Sequence, residues 1–170
     1  SDRQIVTYKD LSVSSGVGVA FRTLGDLSDK QKNDLNKSPS ATDTDGQLRL
    51  NYLRGDRSNE GTGRNYRVRN SALGDIIQSN PVYVGEPQMN YPEGFPDPGY
   101  DSFKSTNSTR DGTIYVGAND GMLHGFDEDT GQERFAYVPN VLFSNSSGAG
   151  LHYLTDPAYS HRYYVDLSPV

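Results

Sequence analysis

The sequence predicts a mainly β protein with one or two short helices in its N-terminal third. Glycine (18 residues) and proline (9 residues) are frequent, and both residue types favour turns. Tyrosine occurs 12 times while tryptophan is absent, and tyrosine is enriched in strands. Short runs of β-branched and aromatic residues recur between clusters of turn residues, which is typical of proteins built from many short strands.

Composition excludes several functional classes. The chain carries 16 Lys and Arg against 22 Asp and Glu, for a net charge of -6. This balance argues against a general nucleic-acid binder, which needs a cationic face. The absence of cysteine excludes disulfides, thiolate catalysis and cysteine-ligated zinc. No apolar run approaches the roughly 20 residues that span a bilayer. Both ends of the sequence fall within strand-like patterns, which suggests a piece of a longer polypeptide.

The N-terminal third alternates between strands and helices. Strands are predicted at 3–8 and 18–21. A helix is predicted after Ser28, because Ser28 as N-cap and Gln31 three residues later form a capping box. Pro39 is expected to end that helix, and a second helix is expected near 47–53. The polar stretches 38–46 and 54–65 are predicted to be loops.

The remainder of the chain predicts six strands joined by turns. The predicted strands lie at 67–69, 81–85, 113–118, 122–127, 134–138 and 162–165. A loop rich in Pro, Gly and Asp is expected from 86 to 111. Asp120 and Gly121 predict a tight type I′ turn, because such a turn needs positive φ at its centre. Thr130 and Gly131 predict a second structural turn.

A faint internal repeat indicates the architecture. The pattern around Tyr83 recurs at Tyr115 and loosely at Tyr164, 32 and 49 residues further on. These distances bracket the roughly 40 residues of a propeller blade, a four-stranded sheet. We therefore expect part of a β-propeller, with one complete blade and parts of its neighbours. Residues 1–66 would lead into the propeller and residues 67–170 would form the blade region. A partial propeller exposes open flanks, so we expect self-association or cover from another segment.

Four segments resemble a known family when they are taken together. They span 51–56, 73–85, 115–139 and 154–166, and include the sequences NYLRGD, LGDIIQSNPVYVG and YVGANDGMLHGFD. In this order and spacing the chain resembles the C-terminal, quinoprotein-like β-propeller of the PilC/PilY family of type IV pilus biogenesis and adhesion proteins. The resemblance covers about two thirds of the chain.

The resemblance implies a non-enzymatic protein at the pilus tip or outer membrane surface of a Gram-negative bacterium. Such proteins promote pilus extension against retraction and mediate attachment, with minor pilins and host or abiotic surfaces as partners. The family's calcium loop normally lies downstream of the last matching segment, so calcium control is not carried over. Two alternatives remain open: a generic extracellular propeller that binds a ligand, and a fragment of a quinoprotein-like redox enzyme. The enzyme is less favoured, because its cofactor needs a closed ring and Phe135 stands where the repeats carry tryptophan.

Arg54, Gly55 and Asp56 spell an integrin-binding tripeptide and are the candidate binding residues. Their match supports two interpretations. The tripeptide could contact a receptor, or Arg54 and Asp56 could fix a loop through charge-assisted hydrogen bonds. Competition by a soluble peptide would separate them.

No metal site or cofactor is expected. The stretch from Asp43 to Gly46 resembles the middle of a calcium loop, but the required first aspartate and final glutamate are replaced by Ala41 and Tyr52. Carboxylates near His124, such as Asp120 and Asp127, are expected to hold turns by accepting backbone N–H bonds. Hydrolase, metalloprotease and dinucleotide-binding motifs are absent from the sequence.

Six arginines within 21 residues give a local charge of +4 in an acidic chain, counting Asp56 and Glu60 against them. This cluster could contact phosphate or DNA, or it could form an ion-paired loop. The arginines are Arg49, Arg54, Arg57, Arg64, Arg67 and Arg69.

Overall fold

The computed structural model describes residues 2–10, 16–37, 42, 44–61, 66–92 and 99–170. Six strands form a single sheet, in the order β2-β1-β6-β5-β4-β3. The mainly β class is therefore confirmed. The strands are β1 (Ile5–Lys9), β2 (Val17–Ala20), β3 (Val82–Val84), β4 (Thr113–Ala118), β5 (Met122–Asp127) and β6 (Glu133–Val138).

Strands β3 to β6 form an antiparallel meander, the arrangement of a four-stranded blade. Strand β1 adds to this blade in parallel with β6, with Ile5 opposite Ala136. Strand β2 then pairs with β1 in antiparallel orientation. The N-terminal strands consequently extend the blade's own sheet and cover the outer edge of β6.

Two predicted strands do not form. Residues 67–69 follow an isolated bridge between Glu60 and Tyr66, and their backbone bonds go mainly to side chains and loops. Residues 162–165 lie across β4 instead of joining the sheet, and the N–H of Tyr164 donates to Oδ1 of Asn119 over 2.9 Å. A Cβ on Gly117 would lie 2.5 Å from the carbonyl oxygen of Val165, so this crossing requires glycine.

The described residues form three α-helices: α1 (Asp29–Leu35), α2 (Gly46–Leu53) and α3 (Gly99–Thr106). The capping box that predicted α1 is formed, since Ser28 N–H donates to Gln31 Oε1 over 2.9 Å and Gln31 N–H returns to Ser28 Oγ. Pro39 lies outside the described residues. The prediction of a continuous loop from 86 to 111 is wrong, because it contains α3. This helix buries none of its residues, and its aromatic side chains Tyr100 and Phe103 pack with each other and with Tyr91 at the surface.

The hydrophobic core lies on one face of the sheet, here called the inner face. It carries Ile5, Met122, Ala136 and Val138. Helices α1 and α2, the short 3₁₀ helices Leu24–Asp26 and His152–Thr155 and the segments that adjoin them supply the other core side chains. These include Phe21, Leu27, Leu35, Leu50, Leu53, Leu151 and Leu154.

The β4–β5 turn contains three residues, because Ala118 is paired with Met122. It is one residue longer than the two-residue type I′ loop that the sequence suggested. Gly121 has φ +89 and its N–H donates to the carbonyl of Ala118 over 3.3 Å. A three-residue hairpin loop ending in a left-handed glycine is a common alternative. The turn after β5 uses Gly131 at φ +68, while Asp127 Oδ1 accepts both the N–H and the hydroxyl of Thr130.

Candidate functional site at the arginine-braced loop

The candidate tripeptide lies in a loop that follows α2. Residues 54–61 and 66–69 form this feature, which we call the arginine-braced loop. Beside it lies a cleft of about 430 Å³, bordered by Arg67, Asp75, Asp120 and His161 among others. Arg67, Val68 and Arg69 of this loop line the cleft, whereas Arg54, Gly55 and Asp56 do not.

Arg54 points into the protein and Asp56 points out. The side chain of Arg54 is buried; its Nη1 donates to the carbonyl of Phe21 and its Nη2 to that of Arg3, each over 2.8 Å. Gly55 has φ +104, which favours glycine. Asp56 Oδ1 accepts the N–H of Ser58 over 2.8 Å, and this bond holds the Asp56 pKa below its ordinary value. This geometry supports the loop-fixing interpretation of the tripeptide.

Arg69 is the centre of the arginine-braced loop. Its Nη1 donates to the carbonyl of Tyr52 at the end of α2 over 2.8 Å, and its Nη2 donates to that of Asp56 over 3.0 Å. Its Nε lies 2.7 Å from Oε1 of Glu60, and its guanidinium stacks on the Tyr52 ring. Burial acts to raise the pKa of Glu60, but hydrogen bonds from Arg69 and Arg57 outweigh it and lower that pKa.

The remaining described arginines of the cluster also brace backbone. Arg49 donates to the carbonyl of Leu35 at the end of α1 over 2.9 Å, and Arg67 donates to that of Leu154 over 3.1 Å. Arg57 donates to the carbonyl of Arg69 and pairs with Glu60. Arg64 lies outside the described residues. The cluster thus stabilises helix ends and loops, and this favours the ion-paired interpretation over a phosphate-binding patch.

A buried charged network, not foreseen from the sequence, joins β1, β5 and β6. Nδ1 of His124 lies 2.7 Å from Oε1 of Glu133, and Nε2 lies 3.1 Å from Oδ1 of Asp120. Arg3 binds the same Glu133 carboxylate through two nitrogens, over 2.6 and 2.7 Å. His124 was seen in the sequence among turn carboxylates. Glu133 follows it by nine residues on the next strand, but Arg3 lies near the other end of the sequence and gives no local signal.

The network makes His124 a buried cation. Burial acts to lower the pKa of His124, but its bonds to Asp120 and Glu133 raise it to about 9. Burial acts to raise the pKa of Glu133, but the bonds from Arg3 and His124 lower it to about 2. Asp120 also accepts the N–H groups of Gly74 and Met122. The sequence-predicted turn residue Asp120 is therefore a junction between the hairpin and the segment before β3.

A second buried pair links α1 to the C-terminal loops. Asp34 accepts the backbone N–H groups of Ser144, Leu151 and His152 over 2.8 to 3.0 Å. Its Oδ1 also lies 2.6 Å from Nδ1 of His152. Both side chains are fully buried. No sequence motif marks this pair, because its members are 118 residues apart.

The charged groups described above are bonded to other side chains and to backbone groups of the protein. His161 pairs with Asp75 at the cleft over 2.8 Å. No group of three or more histidine, aspartate or glutamate side chains in the described part of the chain is placed to hold a metal ion. Asp43, in the candidate calcium turn, lies outside the described residues. None of the described helices has the length and apolarity to cross a bilayer.

The sheet has the arrangement of a propeller blade. Its buried arginines donate hydrogen bonds to backbone carbonyls of the same chain. The sequence profile described as PilY1 beta-propeller domain matches residues 73–170. The chain is 45% identical over 172 residues to the type IV pilus biogenesis factor PilY1 of Pseudomonas aeruginosa strain PAK, a match that covers 95% of this chain. The chain therefore belongs to the PilY1 family, which confirms the resemblance inferred from the sequence.

Relatives from a second organism agree with this assignment. A PilY1 homolog of Xylella fastidiosa strain Temecula1 is 40% identical over 153 residues, covering 87% of this chain and 12% of that homolog. A second match in the same strain is 46% identical over 135 residues, 72% of this chain and 9% of the relative. The chain spans 14% of the length of the Pseudomonas aeruginosa PAK protein. No solved structure matches the chain significantly.

Proposed function

We propose that this chain is a non-enzymatic part of a cell-surface protein of the type IV pilus system. In this proposal its blade supports pilus biogenesis and extension and contributes to adhesion, at the pilus tip or outer membrane surface of a Gram-negative bacterium. Its partners are pilus components such as minor pilins, together with host or abiotic surfaces. The observation that carries the proposal is the 45% identity over 95% of the chain to a type IV pilus biogenesis factor.

The geometry of the charged residues supports a mechanical role. Arg54 and Arg69 are buried and hold backbone carbonyls together, and His124 joins the N-terminal strand to the blade through Glu133. Buried polar networks that are fully satisfied make a structure more rigid. A rigid blade suits a component that transmits or resists force during pilus extension.

A chimera tests the biogenesis role. The homologous segment of the Pseudomonas aeruginosa PilY1 protein is replaced by this chain in a strain that lacks the native protein, and surface pili are sheared and quantified. We expect pili to be restored. A matched chimera carrying Gly121→Val should fail, because the blade no longer folds. A folded, exported wild-type chimera that restores no surface pili would contradict the proposal.

Adhesion is measured with the same strains as attachment to surfaces and host cells, normalised to pilus number. Because Arg54 is buried and bonded to carbonyls, we expect a soluble Arg-Gly-Asp peptide to leave attachment unchanged. Asp56→Glu, which preserves the charge of the exposed residue, should also have no effect. Inhibition by the peptide, accompanied by loss of attachment in Asp56→Glu, would instead support the receptor-binding hypothesis for the tripeptide.

A further inference from the structure

The cleft beside the arginine-braced loop has an apolar lining on which an apolar group can rest. Tyr52, Leu53 and Leu154 line it and are themselves buried. Val68 and Leu73 also line it, but they are 67% and 39% exposed. A volume of about 430 Å³ lies within the range of ligand pockets. The cleft can therefore accept an apolar group of a ligand without any rearrangement of the core.

Arg67 places a positive charge in this cleft. Its Nε donates to the carbonyl of Leu154 over 3.1 Å, and its guanidinium neighbours the hydroxyl of Tyr52. In the part of the chain that the structure describes, no carboxylate forms an ion pair with it. The neighbouring Arg69, by contrast, is paired with Glu60 over 2.7 Å. The Arg67 guanidinium is therefore available to a carboxylate from outside, which it can bind through two parallel hydrogen bonds.

The carboxylates that line the cleft are already bonded within the protein. Oδ2 of Asp75 accepts from Nδ2 of Asn119 over 3.3 Å and lies 2.8 Å from Nε2 of His161. Asp120 accepts two backbone N–H groups and lies 3.1 Å from Nε2 of His124. These carboxylates consequently do not pair with the guanidinium, and the cleft retains a cation that an anionic ligand would neutralise.

Aromatic stacking holds the side chain of Arg67 in place. Its guanidinium carbon lies 4.3 Å from the centre of the Tyr159 ring. Tyr159 packs in turn against Tyr153, with the ring centres 5.2 Å apart, and its N–H donates to the carbonyl of Asp156 over 2.9 Å. A side chain that is fixed before its ligand arrives loses little conformational freedom on binding. The stacked arrangement therefore favours binding over a purely solvated surface arginine.

We propose that this cleft binds an acidic peptide segment of another protein, with a carboxylate side chain paired to Arg67 and a neighbouring apolar side chain packed on Val68 and Leu73. The exposed apolar side chains beside the cation favour a peptide over a free anion, because a small anion would leave them in contact with water. The inference deepens the proposed function and rests on it for the source of the segment, a pilus component. The site is separate from the tripeptide at 54–56, which does not line the cleft.

Two short peptides, blocked at both ends, test the proposal on the 170-residue chain. One carries a single glutamate between two leucines, and the other carries glutamine in its place. Binding is followed through the amide chemical shifts of ¹⁵N-labelled protein, which also locate the site. The glutamate peptide should shift signals of residues 67–75 and 159–161 and bind at least about tenfold more tightly than the glutamine peptide, because hydrogen bonds between charged groups are the stronger ones. Added salt should reduce this preference.

Arg67→Gln should weaken binding of the glutamate peptide at least about tenfold and abolish the preference over glutamine. Arg67→Lys keeps the charge but not the planar fork, so its affinity should fall between the two. Arg162→Gln is the matched control, because Arg162 also stacks on a tyrosine, 4.9 Å from the centre of the Tyr153 ring, but does not line the cleft. It should leave the affinity nearly unchanged. The spectrum of each variant reports whether it is folded, and the two peptides decide on the wild-type protein if Arg67→Gln is not.

Three outcomes would overturn the proposal. Equal affinity for the two peptides, or no binding of either, means that Arg67 selects no acidic segment. Acetate that binds as tightly as the glutamate peptide means that the cleft takes a small carboxylate and not a peptide. Shifts of the same signals with rising protein concentration alone mean that a second copy of this acidic chain occupies the cleft. Peptide binding is measured without pili, so its failure is distinct from a failure of the chimera to restore pili, which contradicts the proposed function.

Discussion

In the meander of β4, β5 and β6, backbone groups pair along the strands, from Thr113 opposite Asp127 to Leu123 opposite Tyr137, with one shift of register between Gly125 and Phe126. The arginine-braced loop is held by side-chain hydrogen bonds instead of a backbone ladder. There, buried guanidinium groups of Arg54 and Arg69 donate to carbonyls from separate segments, such as those of Phe21, Arg3 and Tyr52.

This difference determines how each region responds to substitution. A ladder distributes its hydrogen bonds over many residues, so a surface side chain can change without breaking it. A braced loop concentrates several bonds in one side chain, and its loss leaves several buried polar groups unpaired, each at a cost of about 1–3 kcal/mol. The following predictions test that contrast, beginning with the largest expected effect.

Arg69→Met should be the most damaging change. It removes donors to the carbonyls of Tyr52 and Asp56 and one partner of the buried Glu60 carboxylate. Breaking a buried ion pair in this way costs about 3–5 kcal/mol. The free energy of unfolding is measured by urea denaturation. Arg57→Met is the matched control, because Arg57 binds the same carboxylate from a half-exposed position and should cost about 1 kcal/mol or less. Equal losses would refute the bracing role.

In the meander, damage should arise at the turns. Gly121→Ala combines a positive φ with a Cβ 2.8 Å from Leu151 Cδ2, and we expect a loss of about 2–4 kcal/mol. Gly131→Ala meets the same backbone restriction with no atom within 4 Å, so the loss should be about 1 kcal/mol. The melting temperatures of both variants are measured. The difference between their losses reports the cost of the close contact at Gly121, because the backbone restriction is common to both. The packing argument fails if Gly131→Ala proves the more destabilising.

The stability of the protein should depend on pH through the buried network of His124, Glu133 and Arg3. The pKa of His124 is raised from 6.5 to about 9, so its contribution is complete below pH 6.5 and disappears as the pH rises through about 9. The pKa of Glu133 is lowered from 4.5 to about 2, so its contribution is complete above pH 4.5 and is lost as the pH falls through about 2. Stability should therefore peak between pH 4.5 and 6.5.

The alkaline loss attributable to His124 should reach up to about 3 kcal/mol. Denaturation is followed from pH 6 to 10 in the wild type and in His124→Gln. The variant should be less stable throughout but should lose less of its remaining stability over this range. His161→Gln, which removes a histidine from a half-exposed ion pair, provides the control for the substitution itself. Parallel curves for the wild type and His124→Gln would show that the imidazole does not titrate with folding.

The same contrast explains what the sequence could predict. The strands of the meander, the capping box of Ser28 and Gln31, and the left-handed glycines depend on neighbours along the chain, so local patterns indicate them. The pairing of Asp34 with His152, the carbonyls held by Arg54, and the network of Arg3 with Glu133 join residues separated by 33 to 130 positions. Such contacts have no local signature. The missed helix Gly99–Thr106 lies on the surface, where no buried stripe identifies it.

The parallel pairing of β1 with β6 also imposes an order on the formation of the sheet. Ile5 lies opposite Ala136, so β1 can pair with β6 only after the more than 100 residues between the two strands have been made. Until then β1 and β2 form a two-stranded ribbon, which is marginally stable by itself. Closing so large a loop is slow relative to the formation of local hairpins. The meander can thus form first and act as a template on which β1 and β2 are captured last.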